Sequence, residues 1–171
     1  MGAFESITGR VVNIENFWTN SQAPSGCVKI MTLEIGSEST VNFIVEPSTY
    51  FVNCVSVNIG DCVTGFYDPN VPIPMIYPPQ YRALVITRCS RARNVVVDYF
   101  DENLISSDGS LQLSIANSTL VTLPNRLAFT DSIANRNLVV IYGNHPNYIP
   151  TVPKRILAWQ VIVLCHAVTS L

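Results

Sequence analysis

The chain has 171 residues, 48% apolar and only 13% charged, with a formal net charge of −2 and a mean hydropathy of +0.29. That balance excludes a disordered chain and leaves the shortage of charge to be explained by burial or by assembly. It also argues against a protein that lives on phosphate backbones, which needs an excess of positive charge.

The first half predicts about five strands. They run over Ile7–Phe17, Cys27–Ile35, Thr40–Val45, Cys62–Tyr67 and Ala83–Cys89. The stretch Gly36-Ser37-Glu38-Ser39 supplies a turn between the second and third, with the residue types that turns favour. In Thr40–Val45 the alternation puts Val41, Phe43 and Val45 on one face, the mark of a half-buried strand. Tyr50–Asn58 is too short and too β-branched for a good helix.

The second half predicts strands over Asn94–Phe100, Leu104–Ser106, Leu111–Ile115, Leu138–Tyr142 and Ile156–Cys165, with a turn at Asp108-Gly109. Leu111, Leu113 and Ile115 share a face, while Leu120–Ala134 has room for a helical turn or two. Leu138–Tyr142 and Ile156–Cys165 are apolar on both faces, so both faces should be covered, by the other half of the chain or by a partner subunit.

The two halves carry the same features in the same order. Thr40–Thr49 parallels Ser110–Thr119, each an alternating strand ending in Ser-Thr; Ile59–Tyr67 parallels Ala134–Tyr142. Each half then enters a proline-rich loop, Pro69–Pro79 or Pro146–Pro153, and closes with an apolar strand ending in Cys89 or Cys165. Ordered agreement of this kind points to a duplication. The expected fold is all-β: two tandem, pseudo-duplicated five-stranded barrel-like units, residues 1–90 and 91–171. Five short strands with a long loop before the last resemble the OB-fold, a small Greek-key barrel. The resemblance covers most of the chain at the level of architecture and departs where that fold usually places a helix. It implies a face suited to oligonucleotides or oligosaccharides.

The five cysteines, 27, 54, 62, 89 and 165, contain no C-x-x-C and have no histidine at ligand spacing. They are expected to be free, mostly buried thiols, with Cys89 and Cys165 in equivalent positions. Such thiols fit a reducing compartment, and the N-terminus lacks a basic region followed by an apolar one. A cytoplasmic protein is therefore expected. Ser6 completes a loose myristoylation pattern after Gly2, one that arises often by chance. No apolar run reaches the length of a membrane span.

Chemistry-bearing clusters are scarce. His145 sits in a loop beside Pro146 and His166 ends the last strand; neither suggests a metal ligand. Asp98, Asp101 and Glu102 straddle a strand end and a turn, where acids are ordinary punctuation. No phosphate-binding glycine loop, dinucleotide fingerprint or nucleophile elbow occurs. No cofactor, metal or enzymatic activity is expected.

Four features remain as candidate binding residues. Arg88, Arg91 and Arg93, followed by Tyr99 and Phe100, form the one basic cluster; it lies at the expected boundary, where arginines also tie domains together. The loop 68–82 has five prolines and carries Met75, Ile76, Tyr77, Tyr81 and Arg82. Proline rigidity lowers the entropy lost on contact, which suits recognition, and equally suits a plug packed over a barrel end. Its counterpart, 148–155, carries Tyr148 and Arg155, and Trp18 follows the first strand. The expected role is a non-enzymatic binding or assembly module for a protein partner or for itself. The alternative is an OB-like binder of single-stranded nucleic acid or oligosaccharide, disfavoured by the charge.

Overall fold

The computed structural model of the chain describes residues 2–18, 26–144 and 151–165. It is all-β and falls into two compact units: Glu5–Cys89, and Ser90–Leu171 together with Met1–Phe4. Residues at the N-terminus thus belong with the later unit. Asp98, buried there, holds them by accepting hydrogen bonds from the Ala3 N–H at 2.8 Å and from the Ser107 hydroxyl at 2.6 Å.

The earlier unit contains β1 (Glu5–Asn16), β2 (Lys29–Ile35), β3 (Ser39–Val45), β4 (Tyr50–Phe51), β5 (Cys62–Tyr67), β6 (Gln80–Arg82) and β7 (Val85–Arg88). Its sheet order is β4-β7-β5-β1-β2-β3-β6. The final strand breaks at Ala83-Leu84, so its first part, β6, runs parallel to β3 and its second, β7, antiparallel to β5. One segment thereby touches strands from both sides of the path, and the sheet curls. Where the OB-fold usually has a helix, there is only a 3-10 turn, Val52–Cys54, with Asn53 at φ 59°.

Alternation fills the interior. Met31 and Leu33 of β2, Val41 and Phe43 of β3, Val63 of β5 and Ile86 of β7 form the buried cluster. Gly65 is required by this packing: a Cβ there would lie 2.6 Å from the Phe43 ring, inside van der Waals contact.

The later unit contains β8 (Arg93–Phe100), β9 (Leu111–Ser114), β10 (Leu120–Thr122), β11 (Arg136–Gly143) and β12 (Lys154–Leu164). Its sheet runs β10-β12-β11-β8, with β9 also on β12. The expected strand over 104–106 is reduced to two isolated bridges, Phe100 with Ser106 and Ile105 with Gln112. Residues 120–122 extend as β10, and no helical turn occurs over 120–134; parallel pairing with β12 outweighs any local preference. Ile115 lies beyond β9 and is exposed, unlike Leu113. Both faces of β11 are buried, from Leu138 through Ile141.

The ladder partners of the two units correspond. Phe43 pairs Tyr81 as Leu113 pairs Ile156; Phe51 pairs Ile86 as Val121 pairs Val161; Gly65 pairs Ile86 as Val140 pairs Val161. A side-chain bridge recurs too. The Thr49 hydroxyl donates to the Ala83 carbonyl at 2.9 Å and accepts from the Glu46 N–H. The Thr119 hydroxyl donates to the Ala158 carbonyl at 2.7 Å and accepts from the Ala116 N–H.

The cysteine expectation is overturned. Cys62 and Cys89 form a disulfide with Cα atoms 5.4 Å apart, while Cys27, Cys54 and Cys165 are free and exposed rather than buried. The reason is register: Val63 pairs Arg88 on β5 and β7, so Cys62 and Cys89 fall opposite each other at the next position, within bridging distance. In the other unit Asn137 pairs Leu164, so Leu164, not Cys165, stands where Cys89 does. The pairing also removes the ground on which a reducing compartment was expected.

Candidate functional site

The loop between β5 and β6 is pinned at its base and apolar at its tip. At the start, the Asp68 side chain accepts the Asn70 N–H at 2.8 Å and its carbonyl accepts the Val71 N–H at 3.3 Å. At the end, the Pro79 carbonyl accepts the Asn42 N–H of β3 at 2.9 Å. In between, Val71, Ile73, Met75, Ile76 and Tyr77 are all exposed, Met75 fully and Tyr77 at 77%. The Tyr77-Pro78 bond is cis.

Tyr81 follows the packed alternative where Tyr77 follows the exposed one. It pairs Phe43 across the β3–β6 ladder, and ladder partners share a face, so it follows Phe43 inward. Its ring lies 4.3 Å from that of Tyr67 and 6.1 Å from that of Phe43, centroid to centroid. Tyr67 in turn donates to the Glu5 carboxylate at 2.9 Å. Burial, helped by that carboxylate, holds the Tyr67 phenol well above the ordinary tyrosine range. The loop therefore has a packed root and a bare tip.

The arginines are dispersed among separate structural roles. Arg82 pairs with Glu46 at 3.3 Å and Arg88 with Asp61 at 3.1 Å. Arg91 is exposed, and its carbonyl accepts from the Asn144 side chain at 2.7 Å. Arg93 is half-buried on β8, its Nε without a hydrogen-bond partner among the described residues. Arg88 belongs to one unit, Arg91 and Arg93 to the other. Trp18 is 77% exposed just past β1. Tyr148, His145 and His166 lie outside the described residues.

Two of the three acidic residues are engaged with backbone amides. Asp98 anchors Ala3, and Asp101 accepts the N–H groups of Asn103 and Ile105 at 2.8 and 2.9 Å. Among the described residues no group of three His, Cys, Asp or Glu is placed to hold a metal ion. Among the described residues no helix is long and apolar enough to cross a membrane.

Two features were missed in the sequence. Trp159 sits on the outward row of β12 with Arg155 and Leu157, all three exposed. Its indole covers Gly143, where a Cβ would fall 2.2 Å from the ring. The signal was the alternation of β12 read one residue at a time, which a mostly apolar run concealed. The second is a cleft of about 290 Å³ at one end of the earlier unit, lined by Ile14, Lys29, Met31, Val45, Phe51 and Val57 with Val55 and Ser56. It is formed by four strands and a turn, so no local motif announces it.

Compared with protein-family models, curated proteins and solved structures, the chain matches none of them.

Proposed function

We propose that the chain is a non-enzymatic binding or assembly module built from a tandem pair of OB-like barrels, engaging a protein surface, its own or a partner's, through the tip of the 68–79 loop. The duplication is supported by the shared ladder partners and by the twin threonine bridges. The OB-like reading is supported by β1 lying between β2 and β5, and by a broken last strand whose two parts pair with β3 and with β5.

The observation that carries the functional reading is the contrast within one loop: a root fixed on Tyr67 and Phe43, and a tip of five exposed apolar side chains. A tip held in place loses little freedom on contact and has a strong apolar incentive to be covered. The arginines give nucleic acid less support, since Arg82 and Arg88 already face carboxylates. Light scattering over a concentration series tests this. Association should weaken at least tenfold in a Met75→Ser, Tyr77→Ser double variant. A strict monomer that binds a single-stranded oligonucleotide with submicromolar affinity at ~0.15 M salt reverses the reading.

One observation favours the alternative class. Trp159, exposed beside Arg155 and Leu157, is a flat aromatic surface of the kind on which a sugar ring or a base stacks. Tryptophan fluorescence titrated with oligosaccharides and with oligothymidylate, in the native chain and in Trp159→Ala, checks it. A quench lost only in the variant supports stacking there.

A further inference from the structure

We infer that the cleft at the Lys29 end of the earlier unit binds a small monocarboxylate with a compact apolar body, such as a medium-chain fatty acid. The inference stands apart from the loop-tip reading and uses none of its residues.

Lys29, Met31 and Leu33 alternate along β2, and the last two enter the core. Lys29 therefore starts an inward-facing row rather than an outward one. Its ladder partners are Asn16 and Val45, the second of which packs on the core. Six of the eight lining residues are apolar, and they continue directly from the core cluster: Ile14, Val45, Phe51 and Val57 all pack against it. The cleft is thus an apolar floor with one cation above it.

That cation lacks the company the others have. In the same unit Arg10 faces Glu34, Arg82 faces Glu46 and Arg88 faces Asp61. Lys29 is half-buried as a residue; its Nζ donates to the neutral Oδ1 of Asn16 at 2.5 Å at the surface, and no described carboxylate pairs with it. Residues 19–25, which join β1 to β2, contain no Asp or Glu. An ammonium that no carboxylate accompanies, set over an apolar floor, gains a charge-assisted hydrogen bond from a carboxylate brought to it. The apolar walls then select what that carboxylate is attached to. Volume sets the size: about 290 Å³ is at the lower end of small-molecule sites, enough for a short chain or a single ring and too little for a bulky cofactor.

Titration calorimetry of the whole chain with octanoate tests the assignment, with 1-octanol and octylammonium as the neutral and cationic counterparts of the same length. Saturable one-to-one binding of octanoate is expected, with octanol at least tenfold weaker and octylammonium silent, because a hydrogen bond to a charged group is worth about a factor of ten or more. Lys29→Met should lose at least tenfold while Lys29→Arg keeps most of the affinity. Val57→Phe, which fills the cleft, should abolish binding without shifting the far-ultraviolet circular dichroism. Absence of saturable octanoate binding overturns the proposal, as does octanol or octylammonium binding as tightly. Undiminished octanoate binding by Lys29→Met overturns it too, showing that the lysine stem merely covers the barrel end. If Lys29→Met fails to fold, the three-ligand comparison on the unchanged chain decides.

Discussion

Tyr77 and Tyr81 flank the same pair of prolines and meet opposite surroundings. Tyr77 is exposed, so Tyr77→Ala should change stability by less than about 0.5 kcal/mol. Tyr81 stacks at 4.3 Å on Tyr67, so Tyr81→Ala should cost about 2 kcal/mol or more; urea denaturation of the two variants separates them. Gly65 has no room for a methyl group against Phe43, and Gly65→Ala should cost about 1–3 kcal/mol by overpacking. Tyr67 adds a pH dependence. Its phenol is held above the ordinary range by burial and by Glu5, so the neutral form is favoured in the folded chain. The unfolded chain ionises tyrosine near ~10. Above that pH the unfolded state sheds a proton the folded state keeps, and stability falls as pH rises. Denaturation at pH 8 through 11 should show this fall, and Tyr67→Phe, less stable at pH 8, should show a shallower one.

At the scale of elements, the twin threonine bridges and the disulfide carry different weight. Thr49→Val removes a buried hydroxyl and strands the Ala83 carbonyl, which should cost about 1–3 kcal/mol; Thr119→Val repeats the experiment on Ala158, with a smaller loss because Thr119 is less buried. The Cys62–Cys89 bridge closes a segment of 27 residues, so reduction should lower stability by about 3–4 kcal/mol in the chain-entropy account. Thiol counting in denaturant without reductant should find three free thiols in place of five. Strands were legible wherever one face alternates, as in β3, and the Ser-Thr signature marked the bridges because a threonine at a strand end has only the backbone to bond. The disulfide was not legible. Spacing along the chain says nothing of opposition across a ladder, and the odd count concealed the pair. β4, β10 and the broken closing strand were missed for a related reason: two or three extended residues have no period, and only pairing with a distant strand makes them strands.

For the whole molecule, the association predicted for the loop tip should persist when salt is raised from ~0.05 to ~0.5 M, because apolar contacts are not screened as exposed charges are. Sedimentation velocity at the two salt concentrations checks it, and a strong loss of mass at high salt would assign the contact to charge instead. The proline loop stood out as a candidate because its composition is unusual, but which of its tyrosines is bare depends on register with β3, which composition does not carry. The Lys29 cleft was hidden because it is assembled from distant segments, and Trp159 because the mostly apolar run of β12 masks its alternation.

The broken strand at residues 80–88 has one more consequence, for synthesis. It supplies the partner of β3 on one side and of β5 on the other, and it is the last part of its unit to leave the ribosome. Until then β3 and β5 present open edges, the surfaces on which β proteins misassemble. The earlier unit can complete its hydrogen bonding only when Arg88 has emerged, so its vulnerable interval is set by the rate of translation through the proline-rich stretch that immediately precedes its final strand.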